Sequence, residues 1–187
     1  MSEPVRYTAV AKALHWTIAL VIIVQIPAAM WMVSVDFSNT KFLMYQMHKS
    51  FGLIVLALSV FRLFWRLTHK VPSLPANTTG WKKLAAQFTH VAFYVAIIGI
   101  PLTGWLLVSA STTGIPTKIF FVIPVPHLPV ASSTFQEDLW TSAHNVMAKS
   151  TIVLIVLHVA AALNHHYREK DDVLRRMLPS FMVAKKS

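Results

Sequence analysis

The residues of this chain best equipped for chemistry are its nine histidines, and four of them fall in one apolar stretch, "HNVMAKSTIVLIVLHVAAALNHHYREK", from His144 to Lys170. Ionisable side chains at membrane depth are costly and mark a site more often than a packing solution. His144 and His158 stand 14 positions apart. On an α-helix that separation is about 21 Å and only about 40° short of four full turns, so the two share a face. They are too far apart to bind one metal ion, because an imidazole nitrogen ligates at about 2.0–2.1 Å. The spacing suits two cofactors stacked along one helix, each needing a second imidazole from another segment.

Finding those partners requires the elements that carry them. A bilayer core takes about 20 mainly apolar residues as a helix, and four such runs occur, at about 14–34, 47–67, 84–108 and 144–167. The chain is 55% hydrophobic and 13% charged, against about a quarter charged in soluble proteins. The expected fold class is all-α: an integral membrane four-helix bundle, one unit spanning 1–187. Pro27 and Pro101 lie inside the first and third runs, where neighbouring helices can accommodate a kink. The outer loop expected at 109–143 contains "IPVPHLPV", an extended proline-rich stretch suited to capping the bundle.

Most of the 17 basic residues fall on one side of these spans. Arg6 and Lys12 precede the first. Arg62, Arg66, Lys70, Lys82 and Lys83 flank the second link, and Arg168, Lys170, Arg175, Arg176, Lys185 and Lys186 follow the fourth. Lys41, Lys49, Lys118 and Lys149 are left for the other side. The asymmetry puts both termini in the cytoplasm and accounts for the net charge of +10 without nucleic acid. Membrane lipid is the partner it implies. Trp31, Trp65, Trp81, Trp105 and Trp140 sit near span ends, as in an interfacial aromatic belt. The absence of cysteine excludes thiolate ligation and covalent haem attachment, and the five glycines form no phosphate-binding loop.

With this topology, His48 in "QMHKSFG" matches His144 in depth, near the outer surface, and His15 in "LHWT" matches His158, near the inner one. Two opposed imidazoles in a bundle core are the ligand set of haem b iron. The reading is two non-covalent b haems with His15, His48, His144 and His158 as axial ligands, and electron transfer as the task. Gly52 and the run Ala160, Ala161, Ala162 leave room for the rings. His90 in the third span is the alternative partner of His158.

The sequence resembles the bacterial cytochrome b561 family over almost its whole length. The resemblance lies in "LHW" in the first span, "HKSFGLIVLALSVFRLFWR" in the second, "HVAFY" in the third, and "LHVAAALNHHY" with "DDVLRRMLP" at the end of the fourth. It implies a multi-pass protein of the bacterial cytoplasmic (inner) membrane, with axial ligands from the first, second and fourth helices at His15, His48, His144 and His158. It further implies ubiquinone as an exchangeable substrate and an outer-side electron donor, superoxide in one member and otherwise a redox protein. The outer link at 33–47 carries Lys41 as its one base. Arg62, 14 residues after His48, repeats that ligand's face at the inner end and is placed to pair with a haem propionate. His165, seven residues after His158, lies about 10 Å further along and is placed to hydrogen-bond a quinone carbonyl. The expected protein is a quinone-linked oxidoreductase with no catalytic residue separate from these. Other readings are a haem-bearing anchor subunit of a dehydrogenase or hydrogenase, and a non-redox transporter or structural membrane protein.

Overall fold

A computed structural model describes residues 6–75, 79–179 and 182; Lys185, Lys186 and residues 76–78 of the link between the second and third spans lie outside the described residues. Four long helices run α1 Ala9–Ser34, α2 Asn39–Thr68, α3 Gly80–Ala110 and α4 Thr134–Asn164. A two-stranded hairpin, β1 Thr117–Ile119 and β2 Ile123–Val125, lies between α3 and α4. A turn of π-helix, His165–Glu169, and the short α5 Val173–Met177 follow. All four long helices are long and apolar enough to cross a bilayer. Much of their apolar surface faces outward, Leu20, Val24, Val95, Val153 and Val156 among them, as expected where lipid replaces water as the surrounding solvent.

Two helices begin well before the apolar runs that announce them. α2 starts at Asn39 and α4 at Thr134, because hydropathy locates the part of a helix in hydrocarbon and not the whole helix. Their polar first turns are stabilised by capping: Ser38 Oγ accepts the Lys41 N–H at 3.2 Å, and Ser133 Oγ accepts that of Gln136 at 3.3 Å. Both helices therefore extend beyond His48 and His144 at the end of the bundle that the charge asymmetry leads one to expect outside, called the outer end below and its opposite the inner end, and those residues lie inside helix rather than at its opening. α1 and α3 continue through Pro27 and Pro101.

Packing runs α1 on α2, α2 on α3 and α3 on α4. Among the described residues, α4 makes no extended contact with α1 or α2. A seam is thus left along the face of α4 that carries its histidines. Three buried hydroxyls in these apolar helices are satisfied on the preceding turn: Ser50, Ser109 and Thr151 each donate to the carbonyl four residues back, at 2.7–2.8 Å.

The hairpin closes the outer end. Val122 N–H donates to Ile119 O, closing a two-residue turn whose central residues, Phe120 and Phe121, have φ of 46° and 67°. Such left-handed conformations cost an L-residue roughly 1–2 kcal/mol each, so the hairpin needs outside support. Ser50 Oγ accepts the Phe120 N–H at 2.9 Å, the Phe120 ring meets Phe51 edge-on at 5.4 Å, and Trp105 Nε1 donates to Pro126 O. The proline-rich stretch does pack on the bundle, and part of it is strand.

Ser50 and Ser59 are both fully buried on α2, and the same substitution should act on them in opposite directions. Ser50→Ala strands the Phe120 N–H and is expected to cost about 1–3 kcal/mol. Ser59 Oγ has no partner, so Ser59→Ala is expected to be neutral or stabilising. Thermal unfolding in detergent separates the two, with a lowered midpoint for Ser50→Ala only.

Candidate functional site

The seam holds two pairs of imidazoles. His15 of α1 and His158 of α4 have ring centres 6.4 Å apart with planes inclined at 66°, and His48 of α2 and His144 of α4 stand 6.2 Å apart at 79°. Two imidazole nitrogens each about 2.0–2.1 Å from one metal place their ring centres about 6.3 Å apart. Both pairs have this spacing, and each joins two helices whose backbones do not otherwise pack. His158 also meets the Phe93 ring of α3 edge-on, with ring centres 5.1 Å apart.

The outer pair is set up by α3 and α1. His144 Nδ1 is 2.9 Å from Ile100 O and 3.3 Å from Thr103 Oγ1. The carbonyl can only accept, so Nδ1 carries the hydrogen and Nε2 keeps its lone pair for a ligand. A backbone carbonyl behind the ring is a common support for a metal-binding histidine. The ring lies so close to α3 that a Cβ at Gly104 would stand 3.2 Å from His144 Cε1. Across the seam, Gln25 Nε2 donates to His48 O at 3.0 Å, and His48 Nδ1 is buried without a partner. A cavity of about 540 Å³ opens on the other flank of His48, lined wholly by α1 and α2, Leu20, Val24, Gln25, Ala28, Met44 and Phe51 among others, and not by His144. A Cβ at Gly52 would meet nothing within 4 Å. An orphaned imidazole nitrogen, two rings 6.2 Å apart and an open glycine face together fit a flat group held between two imidazoles.

The inner end is cationic. Arg62 Nη1 donates to Ala11 O at 3.2 Å, one turn before His15. The arginine lines a small pocket with Tyr7, Arg66, His69, Lys70 and Tyr94, and no acidic side chain is among the residues lining it. The Arg66 guanidinium lies 5.7 Å from the centre of the Tyr94 ring, and His69 stacks on Trp65 at 3.8 Å. One bond to a carbonyl leaves most of the Arg62 fork for an anion. His165 stands where α4 passes into its π-turn, with Nδ1 2.5 Å from Asp171 Oδ2 and 3.2 Å from Glu169 Oε2.

Sequence reasoning did not single out Gln25, Ile100, Thr103, Gly104, Glu169 or Asp171. Gln25, a polar residue amid the first apolar run, was the one local signal available. The others matter through their position against a histidine on another helix or turn, which spacing along one helix does not reveal.

A family model described as prokaryotic cytochrome b561 matches residues 6–180. The chain is 31% identical over 178 residues to cytochrome b561 homolog 2 of Escherichia coli, covering 95% of this chain and 93% of that one. It is 31% identical over 142 residues to cytochrome b561 homolog 1 of the same organism, covering 76% and 78%. To a protein named probable superoxide oxidase CybB of Yersinia pestis it is 26% identical over 179 residues, covering 93% and 96%.

The close seat of His144 on α3 makes Gly104 intolerant of bulk. Gly104→Val is expected to lower stability by about 1–3 kcal/mol through overpacking against the imidazole. Gly80→Ala, at a helix start whose Cβ would meet nothing within 4 Å, is expected to leave it unchanged. Thermal unfolding of the two variants side by side measures the difference.

Proposed function

The chain belongs to the prokaryotic cytochrome b561 family of membrane electron-transfer proteins, and we propose that it carries electrons between an outer-side donor and the ubiquinone pool through two b haems in the bacterial cytoplasmic membrane, with both termini cytoplasmic. The observation that carries this reading is the pair of imidazole pairs, both spaced for one metal and both on the open seam. His48 and His144 would hold the outer haem, and His15 and His158 the inner one. Bound there, haem b would supply one-electron redox chemistry.

The remaining work falls to side chains of this chain. Ile100 O fixes the hydrogen of His144 on Nδ1, keeping Nε2 for iron. Arg62 offers its free N–H groups to a propionate at the inner end. His165 exchanges a proton with the quinone head at the inner end, where the head can arrive from lipid while its tail stays among acyl chains. On the outer side, Lys41, the single base in the link at 33–47, donates to Val35 O at 2.7 Å. An ammonium bonded to a carbonyl keeps its charge, and Lys49, Lys118 and Lys149 stand on the same side, so the donor there is superoxide or a redox protein.

Purified protein is expected to contain two haems b per chain in a pyridine haemochrome assay, all extractable without breaking a covalent bond. His48→Ala and His144→Ala should each deplete or convert to high spin the same outer haem, and His15→Ala and His158→Ala the inner one. One haem per chain, or loss caused by His90→Ala in place of His15→Ala, would overturn the assignment. Replacing His165 by Ala should leave both low-spin spectra intact. It should also slow oxidation of the dithionite-reduced protein by a soluble ubiquinone analogue at least about tenfold in stopped flow, equivalent to about 1.4 kcal/mol in the barrier.

A further inference from the structure

His165, Glu169 and Asp171 form a cluster at the inner end whose ligand-type atoms all lie within 4.8 Å of one another. A divalent cation is a poor occupant. Lys82 Nζ already sits 2.7 Å from Glu169 Oε1, Asn164 Nδ2 donates to the same oxygen at 3.0 Å, and the His165 nitrogen that faces the carboxylates is engaged by them. The cluster has the composition of a device that holds a hydrogen.

The local backbone is built to make it. α4 does not stop at Asn164 but widens into a turn of π-helix, and Lys170 then adopts a left-handed conformation at φ 53°. The N–H groups of Lys170 and Asp171 both turn back to His165 O. That double acceptance wraps the chain onto the residue that begins the turn and brings the Asp171 side chain to the ring of His165. A left-handed lysine costs about 1–2 kcal/mol, and π-turns within helices are frequent at functional sites. Asp171 is held at both oxygens: Oδ1 accepts the Val173 N–H at 3.0 Å and Oδ2 faces His165 Nδ1 at 2.5 Å. α5, which Val173 begins, is anchored in turn. Trp16 Nε1 of α1 donates to Met177 O at 2.9 Å, Arg176 pairs with Asp172 at 2.8 Å, and Arg176 Nη1 donates to Ser73 O.

We propose that Asp171 is the positioning residue for His165: its fixed carboxylate holds the ring hydrogen on Nδ1, so that Nε2 is the atom that exchanges a proton with the quinone oxygen. The inference rests on the reading of His165 as the quinone's proton partner. Two carboxylate oxygens around one ring nitrogen are acceptors only, so that nitrogen is the donor. A carboxylate in this position selects tautomer and ring orientation in the manner of the buried aspartate of a catalytic triad. Asp171 is the stronger partner, being 17% exposed against 30% for Glu169, nearer by 2.5 Å against 3.2 Å, and free of the lysine that occupies Glu169.

The proton balance closes. A quinone becomes a quinol by gaining two electrons, which the family's electron transfer supplies, and two protons. As imidazolium, His165 breaks its Nε2–H bond as an O–H bond forms on one quinone oxygen. It is left neutral with the Nδ1 hydrogen still directed at Asp171. Water at the inner surface supplies the second proton and restores Nε2–H. In quinol oxidation the same atoms run in reverse, Nε2 accepting the proton.

The test uses the full-length holoprotein in nanodiscs with ring-¹⁵N-labelled histidine, His165→Gln identifying the His165 resonances. Asn at 171 keeps an oxygen for the Val173 N–H while removing the charge. Asp171→Asn is therefore expected to move the neutral ring of His165 from the Nδ1–H to the Nε2–H tautomer. The limiting rate of oxidation by the ubiquinone analogue should fall about tenfold or more, with half-saturation changed less than about twofold. Glu169→Gln should leave tautomer and rate within about twofold, and Asp171→Glu should restore the Nδ1–H tautomer and most of the rate. An Nδ1–H ring in Asp171→Asn, or an unchanged rate in that variant while His165→Gln is slow, would overturn the proposal. An unchanged rate in His165→Gln would instead overturn the quinone role of His165 and the proposal with it. If Asp171→Asn does not yield a low-spin holoprotein, Asp171→Glu decides: an Nε2–H ring at wild-type rate refutes the inference, and an Nδ1–H ring at near wild-type rate upholds it.

Discussion

Four imidazoles meet in two pairs along the seam where α4 stands away from α1 and α2, and keeping that seam open governs how the other elements are arranged. An imidazole taken into an apolar bundle needs a partner for each nitrogen, since a buried unpaired one costs about 1–3 kcal/mol. α3 supplies one such partner by lying against α4 closely enough for Ile100 O to reach His144. That close approach requires a glycine at 104. α1 fixes the other side of the outer pair through Gln25 on the backbone of His48. The helices that pack tightly thus support the rings, and the pairs that do not pack leave room between them.

Few large side chains are fully buried in such a bundle, because lipid takes over the role of a hydrophobic core. The polar atoms inside must then be satisfied locally, and Ser50, Ser109 and Thr151 bond the turn behind them. Ser50 does more than satisfy itself. By accepting the Phe120 N–H it helps hold a hairpin whose two-phenylalanine turn is strained, which closes the outer end over the helix that carries His48.

The two ends of the bundle are built for different work. The outer end is capped by apolar rings and backbone bonds, with its link lysine turned onto a carbonyl. The inner end gathers Arg62, Arg66 and Lys70 around one pocket and a histidine with two carboxylates around another point. The strap formed by the π-turn and α5 joins α1, α4 and the link before α3 there.

Four apolar runs of spanning length, the histidines within all four and the bias of basic residues were all legible along the chain, because hydropathy and helical period are properties of short windows. That His144 and His158 share a face follows from 14 residues at 3.6 per turn, and the depth matching with His48 and His15 follows from the alternating direction of the spans. Helix starts were not legible, since the polar turns beginning at Asn39 and Thr134 are outside hydrocarbon and are ordered by serine caps rather than by lipid. Neither were the hairpin, whose left-handed phenylalanines no turn propensity favours, or the π-turn, which depends on one extra residue being wrapped back onto His165. Which ring faces which, how far apart they stand, and which carbonyl or carboxylate holds each hydrogen depend on contacts between residues tens of positions apart or across an irregular turn. Those were decided only when the helices packed, because orientation between helices comes from side chains meeting in space and not from their spacing along the chain.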